Sequence, residues 1–129
     1  MSDKARCYIR SKLWIEDEAG NVIFGLGRLK MLEAIRQHGS IRAAAQELGM
    51  SYRAIWCRIK ATEERLGIRL LVRNVGGYSG GGSKLTPQAE QFIEHFRRVH
   101  KKIEAESDKL FEKEFSSCLN PDSNPDFQD

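Results

Sequence analysis

The sequence holds only three cysteines, Cys7, Cys57 and Cys118, in 129 residues. They are too few and too scattered for a disulfide framework or a CxxC metal site. The histidines do not add one: His95 and His100 stand five apart, where paired ligands on a helix use i, i+4. No apolar run approaches the roughly 18 residues that span a bilayer. Residues 1–12 are charged and lack the apolar segment of a signal peptide. No Ser/His/Asp arrangement or pair of catalytic carboxylates is evident, so the chain is not read as an enzyme. A cytoplasmic protein with reduced thiols, no metal and no cofactor is expected.

Charge is plentiful and uneven. The net charge is +3, but residues 28–84 carry eleven Lys/Arg against four acids, while residues 103–129 carry two against eight. A basic middle of this size points to a polyanionic partner. With 40% hydrophobic residues, the chain suits one domain with a modest core plus an appendage.

Residues 39–56 organise the rest. Ser40 can cap a helix whose buried face is Ile41, Ala44, Ala45 and Leu48, at i, i+3, i+4 and i+7. Gly49 stands where a left-handed C-terminal cap falls. Ser51 can cap a third helix, from Tyr52 to about Leu66, with Ile55, Ile59, Thr62 and Leu66 inward. These are the ingredients of a helix-turn-helix. At 100° per residue, Arg53, Cys57, Lys60 and Glu64 project outward from the third helix, with Tyr52 and Trp56 at the margin. Outward Arg53 and Lys60 suit a DNA major groove, and Ser51 and Tyr52 suit phosphates at the helix start.

Upstream, residues 7–24 read as a β-hairpin. Ile9, Leu13 and Ile15 alternate with Tyr8, Arg10, Lys12 and Trp14, and Trp14 is expected to pack. Gly25 and Gly27 precede a first helix of about residues 28–38. Downstream, residues 70–86 read as strand, glycine-rich loop and strand, a wing with Arg73 and Lys84 at its base. The glycines do not make a nucleotide loop. Gly77 and Gly82 have the spacing, but Ser83-Lys84 stands where Lys-Ser/Thr is required.

Thr86-Pro87 is a helix start, followed by Ala89, Phe92, Phe96, Val99 and Ile103 at 3-4 spacing, with Leu110 resuming the series. A helix over residues 87–115 would be about 43 Å long. Its apolar seam predicts dimerisation. Residues 116–129 read as a disordered acidic tail. The expected fold is mostly α with small β: a winged helix-turn-helix over residues 1–86, then the dimerisation helix.

Gly27-Arg28, residues 32–35, Gly39-Ser40-Ile41, Ala43-Ala44-Ala45, residues 48–53 and Trp56 resemble the helix-turn-helix of the ModE family. So do Gly76-Gly77, Gly80-Gly81-Gly82 and Leu85-Thr86. Those proteins are molybdate-responsive bacterial regulators, similar in their DNA-binding part to LysR-type regulators. The resemblance covers about residues 25–100. It implies a homodimeric, sequence-specific transcription regulator on a palindromic operator. It also implies DNA contact by Ser51, Tyr52 and Arg53, and a core position for Trp56. Ser40, Arg42, Cys57, Lys60, Arg73 and Lys84 complete the DNA-facing set read from the residues. The molybdate-binding domains of full-length ModE have no counterpart here, so molybdate binding is not expected. A winged helix serving as a protein-interaction module is the alternative.

Overall fold

The computed structural model describes residues 5–74 and 82–119. In chain order they form β1 (Trp14–Glu16), β2 (Val22–Gly25), α1 (Leu26–His38), α2 (Ile41–Leu48), α3 (Tyr52–Leu66), β3 (Leu71–Asn74), β4 (Gly82–Leu85) and α4 (Pro87–Leu119). Two antiparallel pairs, β1–β2 and β3–β4, are the only sheets among the described residues. The chain divides into two compact units. One is Leu13–Phe96; the other joins Met1–Lys12 to Arg97–Asp129. The expected loop at residues 75–81 and tail at 120–129 lie outside the described residues.

Helix boundaries in the larger unit follow from side-chain caps. The Ser40 hydroxyl accepts from the Ala43 N–H at 3.0 Å, Ser51 from Ala54 at 3.0 Å, and Thr86 from Ala89 at 3.0 Å. Each satisfies a donor that the helix itself leaves unpaired. Between α2 and α3, Gly49 adopts φ 65°, and Met50 N–H returns to the Ala45 carbonyl at 2.9 Å. That left-handed residue reverses the chain within a few positions, which glycine does at least cost.

The core assembles around Phe24, which is fully buried. Its ring meets Phe92 edge-on at 4.8 Å between centroids and Phe96 at 5.0 Å. Leu32 and Ile35 of α1, Ile55 and Ile59 of α3, Leu70 and Ile93 close around it. Ala44 and Ala45 are buried on α2, where their small side chains let α1 approach.

Several expectations need correction. The N-terminal hairpin is shorter than residues 7–24: only Trp14–Glu16 pairs with Val22–Gly25, with an irregularity between Ile15 and Glu16. β2 runs directly into α1, so residues 7–13 have no partner strand among the described residues to make their alternation a ladder. Trp14 does not pack; it is 49% exposed, and its indole N–H donates to Glu16 at 2.7 Å. α1 begins at Leu26, with Gly27 inside its first turn. Gly25 precedes it because a Cβ there would stand 3.1 Å from that of Trp14. α4 continues to Leu119, so residues 116–119, expected in the tail, are helical.

The smaller unit contains the later part of α4. There Phe111 and Phe115 lie 5.2 Å apart, and His100 Nδ1 is 3.5 Å from Glu104.

Phe24→Ala should cost about 3–5 kcal/mol, because the two edge-on rings cannot collapse into the space left. A urea titration followed by circular dichroism measures it.

Candidate nucleic-acid interface

α3 has one buried face and one open one. Ile55, Ile59 and Thr62 are buried, and the Thr62 hydroxyl donates to the Ile23 carbonyl at 2.6 Å. Tyr52, Arg53, Trp56 and Cys57 are exposed on the other side. Arg42 is exposed on α2. The hydroxyls of Ser40 and Ser51 are occupied as caps, so Ser51 contributes a fixed helix start.

Lys60 is less open than projection suggests. Its Nζ lies 3.2 Å from Glu63 Oε1 and 5.8 Å from the centre of the Trp56 ring. Glu63 is the hub of this region. Its side chain is only 9% exposed, and Oε2 accepts from the N–H groups of Leu70 at 2.7 Å and Leu71 at 3.2 Å. Burial alone would raise its pKa. The two backbone donors and Lys60 outweigh that, holding the carboxyl below its ordinary value of 4.5.

This carboxylate ties the base of the β3–β4 hairpin to α3. Further bonds fix that base: Thr86 N–H to the Leu70 carbonyl at 3.0 Å closes it, and Ser83 N–H to the Gly39 carbonyl at 2.8 Å ties β4 to the end of α1. The Thr86 hydroxyl also donates to the Arg69 carbonyl. Arg73 and Lys84 are exposed on adjacent strands, where Val72 pairs with Lys84 and Arg73 with Ser83. Between hairpin and α3 lies an open groove of about 300 Å³, whose lining includes Tyr52, Trp56, Lys60, Arg69, Arg73 and Ser83.

The structure thus brings Tyr52, Arg53, Cys57 and Lys60 together on α3, with Arg42 and the Arg73/Lys84 pair on neighbouring elements. Trp56 departs from its expected core position: it is 44% exposed. It lies at the margin of the helical projection, where periodicity alone does not place an indole inside or out. Arg69 and Glu63 were also missed. Cys57 is exposed and unbridged. Of the residues expected to dimerise, Ala89 and Phe96 are buried in the larger unit and Phe92 packs against its core, whereas Val99, Ile103 and Leu110 are exposed. Among the described residues, no group of three His, Cys, Asp or Glu could hold a metal. No helix there is long and apolar enough to cross a membrane.

Three helices with a tight α2–α3 turn, followed by a two-stranded hairpin, define a winged helix-turn-helix domain. A family described as "Bacterial regulatory helix-turn-helix protein, lysR family" matches residues 26–90, and the chain belongs to it. It is 39% identical over 98 residues to the molybdenum-pterin-binding protein MopB of Rhodobacter capsulatus, covering 76% of this chain and 34% of that one. The molybdenum transport protein ModE of Azotobacter vinelandii is 34% identical over 86 residues, covering 67% and 32%. The chain thus spans about a third of the length of these relatives. Among solved structures, the DNA-binding domain of CbnR in complex with DNA superposes with a TM-score of 0.52 at 29% identity, covering 67% of this chain and 94% of that one. The resemblance to ModE proteins read from the motifs is met by these relatives.

The Glu63 carboxylate gives the domain a defined pH response. Its folded-state pKa is lowered, so its stabilisation is present above the ordinary value of 4.5 and is lost as pH falls through the folded-state value. Glu63→Gln should cost about 1–2 kcal/mol at neutral pH. It should also flatten the acid limb of stability against pH, measured by urea unfolding at a series of pH values.

Proposed function

We propose that the chain is a sequence-specific DNA-binding transcription regulator that acts in the cytoplasm as a homodimer on a palindromic operator. The observation that carries this reading is the outward face of α3. A capped, core-anchored helix presents Arg53 beside Tyr52 at its start, both exposed among the described residues. An Arg so placed suits bidentate bonding to guanine in a major groove, the commonest specific contact. Arg42, Arg73 and Lys84 would hold phosphates on either side, with Ser40 and Ser51 fixing the helix starts near the backbone. Support also comes from CbnR, whose DNA-binding domain was solved on DNA, and from a ModE of Haemophilus influenzae described as a transcriptional regulator, 39% identical over 67 residues.

Dimerisation would fall to Val99, Ile103 and Leu110. Ala89, Phe92 and Phe96 continue the same series but serve the protomer's core. The spacing of the exposed three suits a helix–helix seam.

Arg53→Ala should weaken binding to an operator selected from random DNA by about ten- to hundredfold and relax preference at one base pair per half-site, read by gel-shift titration. Lys84→Ala should weaken all sequences alike and lower the salt slope by about one. Unchanged affinity and preference in Arg53→Ala would favour a protein-interaction module instead. Sedimentation equilibrium at micromolar concentration should give a dimer, and Ile103→Asp a monomer; a monomeric wild type would refute the seam.

A further inference from the structure

We infer that Trp56 is a base-reading residue that contacts the 5-methyl group of a thymine in each half-site. This rests on the DNA-binding reading above and adds a specificity determinant to it.

Trp56 lies one helical turn beyond Tyr52 on α3, in the same exposed stripe as Arg53 and Cys57. It is 44% exposed although it is the largest apolar side chain of that helix. Its neighbour Ile55 is fully buried, so the helix has a core-facing position available and does not use it for the indole. Within the described residues the indole N–H has no hydrogen-bond partner. Lys60 lies over the ring at 5.8 Å while being held at 3.2 Å by Glu63, and Glu63 is itself anchored by two backbone donors. The ring thus neighbours a lysine that is itself held, through Glu63, to the backbone at the start of β3.

An exposed aromatic on a reading face suits a partner with an apolar group in reach. The major groove offers one such group, the C5-methyl of thymine. Arg53 covers the polar edge of the code and Trp56 its apolar part.

The test begins with an operator selected from random duplexes by the wild-type protein. Each thymine is then replaced singly by uracil, which removes the methyl and keeps the pairing. Wild type should bind about fourfold more weakly at one thymine position per half-site, the factor expected for one buried methyl. Trp56→Ala should lose that discrimination there and nowhere else. In a Trp14→Phe background, where Trp56 is the remaining tryptophan of two, its emission should change on operator binding. The uracil series uses wild-type protein and does not depend on the variant's folding. Uniform indifference to uracil would overturn the inference, as would thymine discrimination retained by Trp56→Ala. A loss of affinity in Trp56→Ala without any uracil effect would put the indole against sugar and equally overturn it. If no duplex is selected at all, DNA binding itself fails and this inference with it. If one is selected and depends on Arg53 but on no thymine methyl, only this inference fails.

Discussion

Two adjacent residues near the end of α3, Thr62 and Glu63, hold that helix from behind. Thr62 donates to the backbone of β2, and Glu63 accepts from the backbone at the start of β3. Both are polar groups withdrawn from water, and each recovers the cost through bonds to main-chain atoms whose positions it thereby sets. Side chains packed by shape alone could let α3 roll by a fraction of a turn. These bonds do not, because a small rotation would leave buried donors and acceptors unmet. The orientation of Arg53, Trp56 and Cys57 on the far side is a consequence.

The same anchoring shapes the electrostatics. Glu63 takes up Lys60, so part of the positive charge in residues 28–84 is spent inside the domain. Arg36 is similarly engaged by Glu90 at 2.6 Å and Arg65 by Asp17 at 2.9 Å. Among the described residues, the basic side chains left exposed without a salt bridge on the relevant elements include Arg42, Arg53, Arg73 and Lys84. A net charge counted along a sequence overstates what reaches a polyanion; the pairings decide which cations remain.

Much of this was legible in the sequence because the signals were local. Ser40, Ser51 and Thr86 announce helix starts through hydroxyls that act within three residues, and Gly49 announces the turn through its own backbone. Arg53 follows from helical projection alone. What the local signals left undecided was which apolar positions the core would cover. Trp14 and Trp56 are apolar by type, yet both stay largely outside the core. The alternation over residues 7–13 resembles a strand but has no partner strand among the described residues. The 3-4 series of α4 defines an apolar stripe without saying what covers it. Its first members pack on Phe24, and its later ones remain open. Glu63 looks like one more surface acid until β3 folds against it.

The central claim is that α3 enters a major groove with its outward face against the bases. Guanine N7 methylation interference on a selected operator tests it most directly, because N7 lies in that groove alone. The account predicts interfering guanines in two clusters about one helical turn apart, one for each α3 of the dimer. Binding unaffected by N7 methylation at any guanine of the site would contradict it.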